Sequence, residues 1–553
     1  MTDIEFNLID EPWVRVMQQD CSVREVSLRD AIVYAHEYRG LCGELPTQDV
    51  AVLRLMLAVL HTVFSRVDAE GNADNSDKDN EQWAKTRWQS LWERGCFSEK
   101  AMDDYFAKWH ERFWLFHPER PFGQVAGLTA GTDYDSPKLN GEISESSNKT
   151  RFFSSYFGAE KQTLSYAQSA RWLLYLNAYD DTSAKPTKEG KEKAGGKLPS
   201  PGAGWLGKLG LIYLNGNTLF ETLMLNLIMI NGDDETASVQ GEQKPAWEAE
   251  NVAKGERTQI RMPNNLAELY TLQSRRILLH RKEGKVTSYR LLGGDFFEKE
   301  NAFFEPMTVW RTPRDRKGNI AVNEPYVPKR HDFAKQMWRE FAVLYNGKSH
   351  HRAGVLTWYD NYIMGDEWID SSYMLQTVIT AVEYGDKDFF VKNVFSDSLQ
   401  MHSAVLSDMG ENFRTDIENE IKKCEEVANS IGRFAVNLYI ASGGSDDPKN
   451  NSAVQAKETA QAQLYYRLDM PFRNWLMSIN PDTMEDTVDP IRDWRKTVRR
   501  IALQYANEQA ANASDGALVG HMKSNNRYFS VPQAMLIFKA DLKRIYGKEG
   551  DAS

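Results

Sequence analysis

The stretch YNGKSHHRAGVLTWYD, Tyr345–Asp360, gathers side chains that could move protons, ligate a metal or hold an anion: Lys348, His350, His351 and Arg352. Imidazole titrates near neutrality, so paired histidines invite an acid–base or metal reading. Adjacent side chains diverge on a regular backbone, however, so two successive histidines chelate poorly. No other His or Cys stands at ligand spacing, and HExxH and GxSxG are absent from the sequence. Asp360 lies too far along the chain to be assigned as an orienting carboxylate from sequence. The leading reading is a loop tip, with Lys348, His350, His351 and Arg352 as donors and Gly347 and Gly354 allowing sharp turns. A hydrolase using a His350/His351 dyad is the alternative from the enzyme class.

A second stretch, PGAGWLGKLG (Pro201–Gly210), imitates two phosphate-binding motifs. It reads as GxGxxG at Gly202, Gly204 and Gly207, and as GxxxxGK ending at Lys208. Both motifs need a strand before the glycines and a helix after them, because the helix N-terminus holds the phosphate. Here a loop with Lys185, Lys188, Lys191, Lys193 and Lys197 precedes, and a strand-like LGLIYL follows. Leu209 occupies the place where a P-loop needs Ser or Thr. Both nucleotide readings are rejected, which leaves a loop whose glycines permit close backbone approach.

The elements that must position these stretches belong to a chain of 553 residues, long enough for two or three domains. With 41% hydrophobic and 26% charged residues the composition is globular. The apolar run Val50–Phe64 is interrupted by Arg54 and reads as a buried helix, with Thr47 as N-cap and Asp49 favouring the helix dipole. The start, MTDIEFNLIDEPW, carries acids where a signal peptide carries lysines, so no export and no membrane partner is expected. Cys21, Cys42, Cys96 and Cys424 are scattered, so neither a disulfide framework nor a zinc knuckle is expected, and a cytoplasmic location is. No cofactor is implied. Trp83, Trp88, Leu91 and Trp92 recur at helical spacing and read as core, and a hairpin is expected around KEGK (Lys282–Lys285). The segments 127–147, 180–204, 232–257 and 314–323 lack periodicity and read as long loops.

The last third reads as a helix bundle. Phe413, Ile417, Ile421, Cys424, Val427, Ile431, Phe434 and Leu438 step by threes and fours, and helical patterns recur near 371–394, 454–478, 490–512 and 532–546. The net charge of −11 argues against a surface that is basic throughout, yet residues 491–553 carry eleven Lys/Arg against six acids. Arg492, Arg495, Lys496, Arg499 and Arg500 form either a solvated face or a stripe that follows a phosphate backbone.

An ordered series of motifs resembles the large subunit (CasA family) of Cascade, the type I-E CRISPR surveillance complex. It runs from FNLIDEPWVRV (Phe6–Val16) through LWERGCF (Leu91–Phe97), FHPERPFGQV (Phe116–Val125), PKLNGEISE (Pro137–Glu145), GWLGKLG (Gly204–Gly210), NTLFETLMLNLI (Asn217–Ile228), QSRRI (Gln273–Ile277) and EPMTVWR (Glu305–Arg311). The resemblance implies an α+β fold: a mixed α/β domain over 1–368, then a four-helix bundle over 371–553. It implies a non-catalytic role in antiviral defence. Such a subunit recognises the PAM in double-stranded DNA, wedges the duplex open to start the R-loop, stabilises the displaced strand and recruits a helicase–nuclease. The other partners implied are the guide RNA 5′ end and the remaining Cascade subunits. By the same resemblance the wedge falls at His350–Ala353, with His351 where a relative has glutamine. The glycine loop falls at Ser200–Gly204, including Gly202, and the minor-groove lysine at Lys299. The guide-contacting loop carries Asn148, Lys149, Arg151, Phe152 and Phe153, and the basic stripe of the bundle faces the displaced strand.

Overall fold

The helix Pro46–Phe64 is the spine of the first part of the protein. Pro46 stands in its first turn, where a missing N–H costs nothing and the fixed φ suits a helix. The capping residue is therefore Leu45, not Thr47, whose hydroxyl is buried inside the helix without a hydrogen bond. Every residue from Val50 to Phe64 is buried. A helix apolar on all sides belongs in an interior. By length and composition it could cross a membrane, but its apolar window is 94% buried within the protein.

The computed structural model describes residues 4–74, 81–145, 154, 156–181, 203–229, 242–250, 252–260, 263–297, 305–314, 317–320, 326–347, 350–370, 372–385, 390–447, 449–523 and 527–547. Two units emerge: residues 1–334, 343–368 and 376–398 form the first, and 335–342, 369–375 and 399–553 the second. The chain thus passes between units several times, whereas a single division near 368–371 was expected.

In the first unit the Pro46–Phe64 helix packs on Tyr166–Tyr179 and Leu266–Tyr270. The expected hairpin is present: Arg275–Lys282 pairs with Lys285–Gly293, with Lys282 opposite Lys285. Glu283 and Gly284 both take positive φ, 52° and 74°, the turn whose twist matches the flanking strands. Thr132–Asp135, from a segment expected to be loop, adds the third strand. The tryptophan helix, Glu81–Arg94, buries Trp88, whose indole N–H donates to the Met224 carbonyl at 2.9 Å.

A second sheet corrects the sequence reading. Met374–Tyr384 lies between Leu211–Asn215 and Val391–His402, so the helix expected near 371–394 is a pair of strands. The run Thr377-Val378-Ile379-Thr380 is β-branched throughout, and such side chains fit a pleated surface better than a helix.

The second unit is a four-helix bundle of Glu411–Ala441, Asn451–Met477, Val488–Ala511 and Val531–Tyr546. The first helix packs on the other three, burying the expected stripe from Phe413 to Phe434. Asn450 and Ser530 cap the second and fourth helices through their side chains. Residues 335–342 join this unit through Trp338, which stacks on Phe472 at 4.4 Å and donates its indole N–H to Asp469.

Candidate nucleic-acid interface

The two histidines form a short strand, His350–His351, paired antiparallel with Trp310–Arg311, which pairs in turn with Val327–Pro328. His351 stands opposite Trp310 and His350 opposite Arg311. His350 Nε2 donates to the Tyr345 carbonyl at 3.0 Å, and its ring covers Gly347, where a Cβ would stand 2.3 Å from the imidazole. The His351 ring meets Tyr326 edge-on at 4.5 Å. Both histidines are half-buried. The strand sends their side chains to opposite faces, which disfavours joint chelation. Lys348 lies outside the described residues.

Arg352 and Ala353 are not tip residues. Ala353 is fully buried, and the Arg352 guanidinium turns inward to Asp360 at 2.7 Å, with Thr357 and Asn361 as further partners. The short helix Gly354–Trp358 and the wider turn Tyr359–Met364 carry Asp360 back beneath Arg352. The carboxylate that sequence could not place orients an arginine, and the arginine expected to meet DNA is part of the support. Arg311, not singled out from sequence, is exposed beside His350 and lacks an ion-pair partner among the described residues. Only the strand register reveals it.

Residues 146–153, 182–202 and 298–304 hold Asn148, Lys149, Arg151, Phe152, Phe153, Ser200, Gly202 and Lys299, all outside the described residues. Their flanking residues are held by buried charge. Asp181 pairs with Lys138, Asp180 with Arg275, and Asp295 with Arg276 and Arg257. Glu145 pairs with Lys161 at 2.7 Å. Burial pushes the Asp180 carboxyl upward, while Arg275 pulls it back. Glu305 binds Arg54 through two contacts, at 2.7 and 3.0 Å, and also receives the Trp205 indole N–H at 2.9 Å. Burial opposes the Arg54 charge, but Glu305 outweighs it and holds the guanidinium above its ordinary value. Removing one member of such a pair costs about 3–5 kcal/mol, so these roots are rigid.

The described glycines of the false nucleotide motif serve packing. A Cβ at Gly204 would stand 2.5 Å from the Ala178 carbonyl carbon, and the Gly204 N–H donates to the Asp180 carbonyl at 2.8 Å. Gly207 makes room for the Tyr384 hydroxyl and Gly210 for the Lys329 carbonyl. Gly204, expected in a loop approaching DNA, is thus a buried clasp between the two ends of segment 181–203. The backbone it admits is the protein's own.

The basic stripe also divides. Arg495 binds Glu420, which is 1% exposed, and so faces into the bundle. Arg492 and Lys496 pair with Asp489 and Asp493 one turn away on the surface, contacts that water screens. Arg499 and Arg500, together with Lys539 and Lys543 on the adjacent fourth helix, have no ion-pair partner among the described residues. These four are cations available to a polyanion.

The fold and site define a class: a mixed α/β body that roots its loops on buried ion pairs, and a separate four-helix bundle. The model of the CRISPR-associated protein Cse1 family matches residues 7–505, and the chain belongs to that family. This is the large subunit of type I-E Cascade that the ordered motifs resembled. A CRISPR-associated CasA/Cse1 protein of Thermus thermophilus is 26% identical over 519 residues, covering 90% of this chain and 91% of that one. The crystal structure of Thermobifida fusca Cse1 superposes with a TM-score of 0.82 at 26% identity, covering 98% of both chains. A chain of a CRISPR RNA-guided surveillance complex shares the fold, with a TM-score of 0.68 at 17% identity over 98% of this chain and 99% of that one.

Proposed function

We propose that this chain is the non-catalytic, PAM-reading subunit of a type I-E effector complex in the cytoplasm, and that His350–His351 part the first base pairs of the target. The observation that carries this is the histidine strand itself: a half-buried, ring-bearing tip pinned by backbone pairing to Trp310–Arg311 and underpinned by Arg352–Asp360. Guide pairing supplies target sequence, so the protein needs only a short duplex reading and a wedge. Unstacking costs a few kcal/mol per step, which ring stacking and phosphate contacts offset. His351 with Tyr326 behind it supplies the flat group, and Arg311 a nearby cation. The unpaired cations of the bundle suit the displaced strand, and the surveillance-complex likeness supports guide RNA and other Cascade subunits as partners. Recruitment of a helicase–nuclease belongs to the same reading.

The test uses the chain assembled with guide RNA and the other subunits. Duplexes bearing a fluorescent base analogue beside the PAM report strand opening. His351→Ala is expected to reduce opening about tenfold, the loss of one stacking contact of about 1.4 kcal/mol, while assembly is spared. Equal opening by variant and wild type removes the wedge assignment. DNA cleavage by the purified chain that His351→Ala abolishes would replace the whole reading with the hydrolase.

A further inference from the structure

The motif FHPERPFGQV has no place in the wedge or its roots. It forms one wall of a cavity of about 420 Å³ in the first unit, a volume within the usual range for small-molecule sites. The floor is aromatic: Phe122, Trp247 and Tyr270 are each less than 9% exposed. Trp247 is locked in place, since its indole N–H donates to the Tyr105 hydroxyl at 2.8 Å and its ring lies 6.1 Å from that of Phe122. The rim is cationic. Arg112, Arg120 and Lys254 line it, and none of the three has an ion-pair partner among the described residues. Partial burial lowers the Arg112 pKa, and the like charge of Arg120 lowers it further; Glu250 opposes both. Two guanidiniums held together without a bound carboxylate gain most from an anion that bridges them.

We infer that this cavity binds a single nucleotide, its base against the Phe122–Trp247 wall and its phosphate at Arg112 and Arg120. Aromatic rings and guanidinium planes are the surfaces on which unpaired bases stack. Glu119 and Glu250, also at the rim, can accept from a base amino group and disfavour a polyphosphate, so one phosphate matches the charge there. A free phosphate would leave the aromatic floor unused, and a nucleoside would leave the guanidinium pair uncompensated. The nucleotide comes either from solution or from a strand. The strand source rests on the Cascade reading, while the pocket chemistry does not.

The purified full-length chain is titrated calorimetrically with AMP, adenosine, inorganic phosphate and a trinucleotide, without guide or duplex. AMP is expected to bind at least tenfold more tightly than adenosine or phosphate. Arg112→Ala with Arg120→Ala should weaken AMP at least tenfold and leave adenosine within twofold. Val252→Trp, at an exposed rim position, should weaken both ligands. A trinucleotide that binds as tightly as AMP assigns the site to a strand, and one that binds more weakly assigns it to free nucleotide. No saturable AMP binding at millimolar concentration, or affinity unchanged in the double variant, overturns the inference. Failure of the wedge leaves this titration unaffected, so the two proposals fail separately.

Discussion

Arg352 distinguishes support from contact, and a double-mutant cycle with Asp360 reads out which it is. The pair is 2.7 Å apart, with side chains 7% and 16% exposed. At about 4 Å between charge centres and an effective dielectric near 20, the attraction is about 4 kcal/mol. Asp360→Asn leaves the guanidinium buried without its anion, a loss of about 3–5 kcal/mol for a sealed pair. The partial exposure of Asp360 admits water and places the expected value at the lower end, about 3 kcal/mol. Arg352→Met keeps the buried stem and frees Asp360 to hydrate, so about 2 kcal/mol is expected. If the pair acts as a unit, the double variant loses less than the sum, with a coupling of about 2 kcal/mol. Urea unfolding of the isolated chain, followed by tryptophan fluorescence, measures the cycle; the transition that shifts belongs to the first unit. At a urea-free temperature where all variants are folded, duplex binding by the assembled complex should fall in parallel for Arg352→Met and Asp360→Asn. The reasoning is refuted if Arg352→Met unfolds like wild type yet weakens DNA binding while Asp360→Asn does neither. Arg352 would then be a contact residue.

Burial raises the Asp49 carboxyl to about 7, against the Gly43 N–H that donates to it at 2.6 Å. A raised carboxylate stabilises the fold fully below its unfolded value near 4, and that contribution is lost as pH rises through 7. Asp49→Asn should therefore gain on wild type by about 2–4 kcal/mol between pH 4 and pH 8, measured as urea midpoints at both; a gain equal at the two pH values refutes this. In the bundle, Arg499→Ala with Arg500→Ala should reduce the salt dependence of target binding by a log–log slope of about 1.4 if both meet a single strand. Arg495→Ala should instead lower bundle stability, because it leaves the buried Glu420 carboxylate with Lys423 as its remaining ion-pair partner among the described residues. An unchanged slope in the first variant returns the stripe to a solvated face.

What was legible in the sequence tracks the range of the interaction. The bundle stripe was readable because its period repeats over a 31-residue helix. Met374–Tyr384 was not, since its middle is buried on both faces, and a continuous apolar run has no period to separate strand from helix. At the site, residue type located the histidines, but the roles of their neighbours depend on pairs that no local pattern announces. Glu305 meets Arg54 251 positions away, and Arg275 meets Asp180 95 positions away. These pairs also explain what the resemblance was made of. PKLNGE contributes Lys138, QSRRI contributes Arg275 and Arg276, GWLGKLG contributes Trp205, and EPMTVWR contributes Glu305 and the strand Trp310–Arg311 that pairs with the histidine strand. The motifs that carry the resemblance hold the roots of the loops rather than their tips. Position 351 is held by backbone pairing to Trp310, which is indifferent to its side chain. Replacing His351 therefore changes the chemistry at that position without unpairing the strand. That is why the substitution tests the wedge and not the fold.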